Sequence, residues 1–134
     1  MAYDPASLLA AARAARANAY APYSHFSVGA ALLARDGRIF CGANIENASY
    51  GLSMCSERVA VYAAVAVGVL AFEAIAVAGP DHMETTPCGA CRQVLIEFGP
   101  KLTVITQADG LAKMQSIAEL LPTAFSPQTL EDAR

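Results

Sequence analysis

An α/β fold with a sheet covered on at least one face follows from three features of this 134-residue sequence. Short apolar runs bounded by turn residues, at 28–34, 39–43, 73–79 and 102–106, read as strands. Runs with helix caps and helix-forming residues, at 4–18, 55–67 and 88–98, read as helices. The two kinds alternate along the chain, which is the pattern of an α/β domain.

Asp4-Pro5 opens the first helix, with Asp as N-cap and Pro at the first helical position. An Ala/Leu/Arg run carries it to about Asn18. Residues 20–24 contain Pro22 and read as a loop. The strand at 28–34 is followed by Arg35-Asp36-Gly37-Arg38, an Asp-Gly hairpin signal, and by its partner strand at 39–43. Residues 44–54 are polar and aperiodic, hence a loop. The stretch from Cys55 to Val67 is Ala- and Val-rich with almost no polar face after its first turn, so it reads as a buried helix. A strand at 73–79 and a polar loop at 80–87 follow. The helix at 88–98 stops at Gly99-Pro100, and LTVIT at 102–106 is a strand. Asp109-Gly110 turns the chain. Ser116 and Glu119 form a capping box for a short helix ending before Pro122. The last dozen residues read as a tail, so residues 1–134 are expected to form one domain with 126–134 trailing from it.

Composition narrows the function classes. The chain is 55% hydrophobic and 16% charged, against about 45–50% and about 25% in ordinary globular domains. Its mean hydropathy is +0.37. Such a chain is not intrinsically disordered. Nine basic and twelve acidic residues cover a 14.0 kDa domain thinly, which leaves apolar surface for something other than water. That surface is not a membrane span. The longest uncharged apolar run, 59–72, is shorter than the roughly 20 residues a bilayer requires. Asp4, Arg13 and Arg16 break any leader-like pattern, so a cytoplasmic location is expected. A net charge of −3 and a pI of about 5.2, without a Lys/Arg run, exclude the electrostatic footprint of a nucleic-acid binder.

Four cysteines carry the chemistry. Cys88-Gly89-Ala90-Cys91 opens a helix, and by itself fits a redox pair or half a zinc site. Cys55 also opens a helix, and Glu57 lies two residues on. The partial positive charge of a helix N-terminus lowers a thiol pKa and favours the thiolate that a metal needs. Three thiolates hold Zn²⁺ with one position open, the catalytic arrangement; a structural site needs a fourth ligand, with His82, Cys41 and His25 as candidates. Spacing alone leaves both open. A carboxylate at Glu57 pointing past the metal would accept a proton from bound water, although a Glu in a first helical turn also simply complements the helix dipole.

The segments Cys55-Ser56-Glu57 and Pro87-Cys88-Gly89-Ala90-Cys91-Arg92-Gln93 resemble the zinc nucleoside deaminases, with Cys55 where many members have His. The likeness extends to Tyr23-Ser24-His25-Phe26-Ser27-Val28-Gly29-Ala30-Ala31, to Asn44-Ile45-Glu46-Asn47-Ala48-Ser49-Tyr50-Gly51, and to Leu120-Leu121-Pro122-Thr123-Ala124-Phe125. A Cys in the His position resembles the small homotetrameric cytidine deaminases, and the likeness spans roughly residues 8 to 126.

The resemblance implies a three-layer α/β/α sandwich around a central mixed sheet. It implies one Zn²⁺ per subunit on Cys55, Cys88 and Cys91, with Glu57 as proton shuttle in the deamination of cytidine and deoxycytidine. Arg58 matches an arginine that hydrogen-bonds the ligand sulfurs, a role that Arg92 also fits by position. Asn44 and Glu46 match ribose-binding residues, Phe26 matches an aromatic on the pyrimidine face, and Ser56 offers a backbone N–H to the base carbonyl. Tyr50 and Phe125 match residues that reach a neighbouring subunit's site. Cys41 reads as a buried small hydrophobe and His82 as a loop residue. The partner is a small nucleoside, and pyrimidine salvage is the implied role. Two other readings are a deaminase of another cytosine-bearing nucleoside such as blasticidin S, which would not be expected to carry the Asn44/Glu46 pair, and a non-catalytic zinc module with His82 as fourth ligand.

Overall fold

Asp4 starts the first helix as its sequence implies. In the computed structural model, which describes residues 2–134, its carboxylate accepts from the Ala6 N–H at 3.1 Å and the Ser7 hydroxyl at 2.9 Å. Helix α1 runs over Pro5–Arg16. Strands β1 (Gly29–Ala34) and β2 (Ile39–Ala43) form the Asp-Gly hairpin, and Gly37 at φ +95° supplies the backbone conformation its turn requires. Helix α2 spans Ser56–Ala66, strand β3 Phe72–Ala78, helix α3 Gly89–Ile96 and strand β4 Thr103–Ala108. Strand β5 (Leu111–Ser116) is followed by the short helices α4 (Ile117–Leu120) and α5 (Pro127–Asp132).

Strand β5 and helix α5 go beyond the sequence reading. β5 pairs with β4 from Ala108↔Leu111 to Thr103↔Ser116 across the Asp109-Gly110 turn, where both residues have positive φ, as a two-residue hairpin turn demands. Its sequence, LAKMQS, has no β-branched residues, alternates only over Ala112–Gln115, and is mostly exposed. α5 falls within the expected tail, and none of its residues is buried.

The five strands form one mixed sheet in the order β2-β1-β3-β4-β5. β1 is antiparallel to both β2 and β3, and β3 is parallel to β4. One face packs on α1: Leu8, Leu9 and Ala12 meet Ala31, Ala74, Ala76, Ala78 and Ile105. The other packs on α2 and α3, where Ala60, Val61, Ala64 and Leu95 meet Leu32, Phe72, Ile75 and Val104. The alternation of Ala31 with Ala30 and Leu32 follows the two-residue period of a strand. This is the three-layer sandwich the sequence led us to expect.

Strand direction sets the site. β2 and β3 both run antiparallel to β1, so both end at the edge of the sheet where β1 begins. The helices that follow them, α2 and α3, therefore start at that same edge, beside the segment leading into Gly29. Two glycines let the helices down onto the sheet. A Cβ on Gly42 would lie 2.7 Å from the Ala60 nitrogen and collide with the Ser56 carbonyl. A Cβ on Gly29 would lie 2.5 Å from the Arg16 nitrogen and collide with the Ala12 carbonyl.

Two expectations about burial change. α2 buries Ser56, Glu57, Ala60, Val61 and Ala64, but Tyr62, Val65 and Val67 are exposed, so its apolar character is not all core. Cys41 is exposed rather than buried, because β2 is an edge strand and Cys41 lies on the side away from α2. Among the described residues no helix is long and apolar enough to cross a membrane.

Gly42→Ala is expected to destabilise the fold by about 3 kcal/mol or more, because the clash is with backbone rather than a flexible side chain. Gly89→Ala, where a Cβ meets nothing within 4 Å, is the control and should leave the denaturant midpoint unchanged. Comparing denaturant midpoints of the two variants checks this.

Candidate metal centre and active site

Cys55 is the N-cap of α2 and Cys88 the N-cap of α3, and neither side chain makes a capping hydrogen bond. Their sulfurs are left free of the helix ends that position them. Cys91, one turn into α3, is fully buried. The three Sγ atoms lie within 4.8 Å of one another. Among the described residues no fourth His, Cys, Asp or Glu completes the group, so His82, His25 and Cys41 are not ligand candidates in this arrangement.

The spacing tests the metal. Tetrahedral zinc with bonds of about 2.3 Å holds its sulfurs about 3.8 Å apart, whereas a disulfide needs about 2.05 Å. Cys55 Sγ and Cys88 Sγ are 3.7 Å apart. A third thiol in the group also departs from a simple C-x-x-C redox pair. The donor set fits Zn²⁺.

Electrostatics point the same way. A hydrogen bond from Cys91 pulls the Cys55 thiol down to about 5, against its partial burial, with Arg58 and Cys88 adding to the effect. The hydrogen bond to Cys55, then burial, pushes Cys91 up. With no cation between them, one thiol ionises readily and its neighbour resists. A divalent cation removes that opposition. Arg58 Nη2 lies 3.4 Å from Cys55 Sγ, and this contact raises the arginine pKa. Its Nε is buried without a protein partner.

Glu57 is 4% exposed. Burial is the main reason its carboxyl pKa is raised. The Ser56 hydroxyl donates to its Oε1 at 2.6 Å. The charge on Cys55 and a hydrogen bond with Cys91 also act on it, so the carboxyl stands beside the sulfurs.

The remaining sequence-derived residues fall into two groups. Asn44, Glu46 and Phe26 come together at the start of β1. Asn44 Oδ1 accepts from the Val28 N–H at 2.9 Å, and its Nδ2 donates to the Phe26 carbonyl at 2.8 Å. Glu46 accepts from the Tyr23 and Ser24 N–H groups at 3.0 and 3.1 Å and from the Ser24 hydroxyl. The Ser24 bond is the main reason its carboxyl is held below the usual range. Tyr50 and Phe125 project outward, 73% and 58% exposed. The Tyr50 ring lies 5.8 Å from that of Tyr23. Arg92 does not reach the sulfurs: it donates to the Pro87 and Leu120 carbonyls, each at 2.8 Å.

Three supporting residues, Arg13, Arg16 and Gln107, were not singled out for the site by the sequence. Arg13 donates to Gln107 Oε1 at 2.6 Å, and Gln107 Nε2 donates to the carbonyls of Asp81 and Met83 at 3.1 and 3.3 Å. Arg16 holds Asp81 at 2.8 Å and the Gly79 carbonyl. Together they shape the loop that delivers Cys88. A buried Gln at the end of an apolar strand is the one sign that was available.

Residues 4–107 match the family described as the cytidine and deoxycytidylate deaminase zinc-binding region. The chain belongs to that family. Cytidine deaminase of Sporosarcina psychrophila is 46% identical over 132 residues, 97% of each chain. The crystal structure of cytidine deaminase from Burkholderia pseudomallei superposes with a TM-score of 0.87 at 51% identity, covering 92% of this chain and all of that one. The Mycobacterium tuberculosis cytidine deaminase structure gives 0.82 at 40% identity, covering 92% and 98%. The cysteine cluster is thus positioned to hold a metal in a fold of a zinc-binding deaminase family.

Two outcomes test the site. With zinc in place only Cys41 should react promptly with a thiol reagent; chelation should expose the other three, and Cys91→Ala should abolish zinc binding in elemental analysis. In the metal-free protein Glu57→Gln should melt no lower than wild type near pH 8. Because the folded carboxyl has a raised pKa, charging it weakens the fold as pH rises above the unfolded value of about 4.3. The difference should therefore shrink toward about pH 5, as calorimetry would show.

Proposed function

We propose that the protein hydrolyses cytidine and deoxycytidine to uridine and deoxyuridine with release of ammonia, using one zinc ion per chain. The observation that carries the reading is the buried Glu57 carboxyl beside three thiols that have no fourth ligand among the described residues. A structural zinc site would close its coordination and has no use for that carboxyl. The match to named cytidine deaminases over nearly the whole chain supports the substrate.

Bound zinc supplies the Lewis acidity that makes a water molecule nucleophilic near neutral pH. Glu57 takes one proton of the water and passes it to N3 of the cytosine ring, then takes the second from the hydroxyl now on C4 and gives it to the amine as the C4–N bond breaks, leaving ammonia and the C4 carbonyl. Its raised pKa suits a group that must both accept and give a proton. Arg58 draws charge from Cys55, which offsets the formal −1 of three thiolates on Zn²⁺ and keeps the metal electrophilic. Phe26 packs on the pyrimidine face, and the Ser56 backbone N–H binds the base carbonyl. Asn44 and Glu46 bind the ribose. Each has already committed part of its hydrogen-bonding capacity to the backbone of residues 23–28. Asn44 keeps one N–H and one oxygen lone pair, and Glu46, whose carboxylate also accepts from the Ser24 hydroxyl, keeps one lone pair. A single sugar hydroxyl, donor and acceptor at once, is the complement of that pair.

In this reading the active form is a homotetramer in the cytoplasm serving pyrimidine salvage, and residues 1–134 act as one domain. The cavity beside Glu46 and Tyr50 measures about 220 Å³, below the roughly 300–1,000 Å³ of ligand pockets. A second copy bringing Tyr50 or Phe125 would supply walls that one chain lacks. Four free thiols suit a reducing compartment.

Ultraviolet absorbance near the cytosine band should fall when cytidine is added to the zinc-loaded protein, and no fall would refute the reading. Glu57→Gln should retain zinc and lose at least about a hundredfold in kcat.

A further inference from the structure

The helix that presents two of the three thiols also holds the far end of the chain. Arg92 Nε donates to the Pro87 carbonyl at 2.8 Å, just before Cys88, and its Nη1 donates to the Leu120 carbonyl at 2.8 Å. Gln93 Nε2 donates to the Phe125 carbonyl at 2.7 Å. Neighbouring residues on a helix point about 100° apart. The two side chains therefore reach opposite ends of one arm, residues 120–125.

The arm's other anchors are few: Leu120 is partly buried on the core, and the Leu121 N–H donates to the Ile117 carbonyl at 3.0 Å. Thr123 sits at φ +51°, a left-handed conformation for a β-branched residue. Leu121 and Ala124 are only partly buried against the core. A groove of about 820 Å³, lined by Ile96, Phe98, Leu121, Ala124 and Pro127 among others, opens between the arm and the C-terminal end of α3. Apolar packing does not close this gap, so the hydrogen bonds from α3 carry much of the arm's placement. Phe125 is 58% exposed while its own carbonyl is tied down.

We propose that Gln93 is a positioning residue for substrate binding. Through the Phe125 carbonyl it fixes the Phe125 ring relative to the zinc helix, with Arg92 anchoring the other end of the arm. The inference rests on the reading of Phe125 as a wall of a nucleoside site. A ring on a loose arm must be ordered when substrate binds, at an entropic cost. The Gln93 bond removes most of that cost in advance. Gln93 touches neither metal nor substrate, so its loss should appear in KM and not in the chemical step.

Gln93 is exposed, so Gln93→Met, similar in length and without a donor, should fold. With cytidine as substrate, its KM should rise about fivefold, the worth of one neutral hydrogen bond, while kcat and zinc content stay near wild type. Gln93→Lys, which keeps a donor within reach of the carbonyl, should bring KM back. In a Phe125→Ala background Gln93→Met should raise KM no further, because no ring remains to be placed. An equal rise in both backgrounds, or a fall in kcat or zinc with KM unchanged, overturns the proposal. Phe125→Ala with a wild-type KM removes Phe125 from the site and the proposal with it. Absence of cytidine turnover in the wild type would instead refute the function proposed above.

Discussion

Two helices must begin at the same edge of the sheet for the three sulfurs to meet. β1 lies between β2 and β3 and opposes both, so Cys55 after β2 and Cys88 after β3 arrive side by side although 33 residues apart. Their convergence is electrostatically awkward. Three thiols within 4.8 Å cannot all ionise without a cation, which is why Cys55 falls while Cys91 rises. The helix N-termini and Arg58 favour the first thiolate, and a divalent ion is needed for the rest. Fold, metal and protonation state are one problem with one solution.

Small residues make that solution reachable. The face of the sheet under α1 is almost entirely alanine, and Gly29 and Gly42 remove the side chains that would hold the helices away. Short side chains bring α2 down until the Ser56 and Ala60 backbone rests on β2. Any lift of that helix would move Cys55 and Glu57 together relative to α3. Close packing and metal geometry are thus coupled, and a substitution far from the sulfurs in sequence can act on the site.

Much of this was legible in the sequence, for identifiable reasons. The Asp4-Pro5 cap, the Asp-Gly turn of the first hairpin and the Ser116/Glu119 capping box are local chemistry, and each formed as read. The family match and the sulfur cluster bear out the zinc deaminase reading. β5 was illegible because its residues are mostly exposed and pairing with β4 supplies what propensity does not. Helix α5 was hidden because it buries nothing, so no periodicity records it. Arg92 illustrates a different limit. Adjacency to Cys91 places it near the sulfurs in sequence, but the turn of α3 aims it at two carbonyls instead. Sequence fixes neighbours along the chain more readily than directions in space.

The apolar excess of the composition divides once the fold is known. Part of it is the two core layers on either side of the sheet. Part of the rest is spread over the surface, at Ile39, Leu70, Leu111 and Leu130, and part is gathered at Tyr62 and Val65 on α2, Val67 at its end, and Ile45, Tyr50 and Leu52 in the loop before it. The latter residues surround the helix and loop that carry Cys55, Glu57 and the proposed ribose ligands. Apolar surface scattered over a monomer needs no explanation, but apolar surface concentrated on the elements of an active site does. On the oligomeric reading, the same packing that shields it from water would also enclose the nucleoside beside the already buried Glu57. Association would then serve the chemistry as well as the stability of the fold.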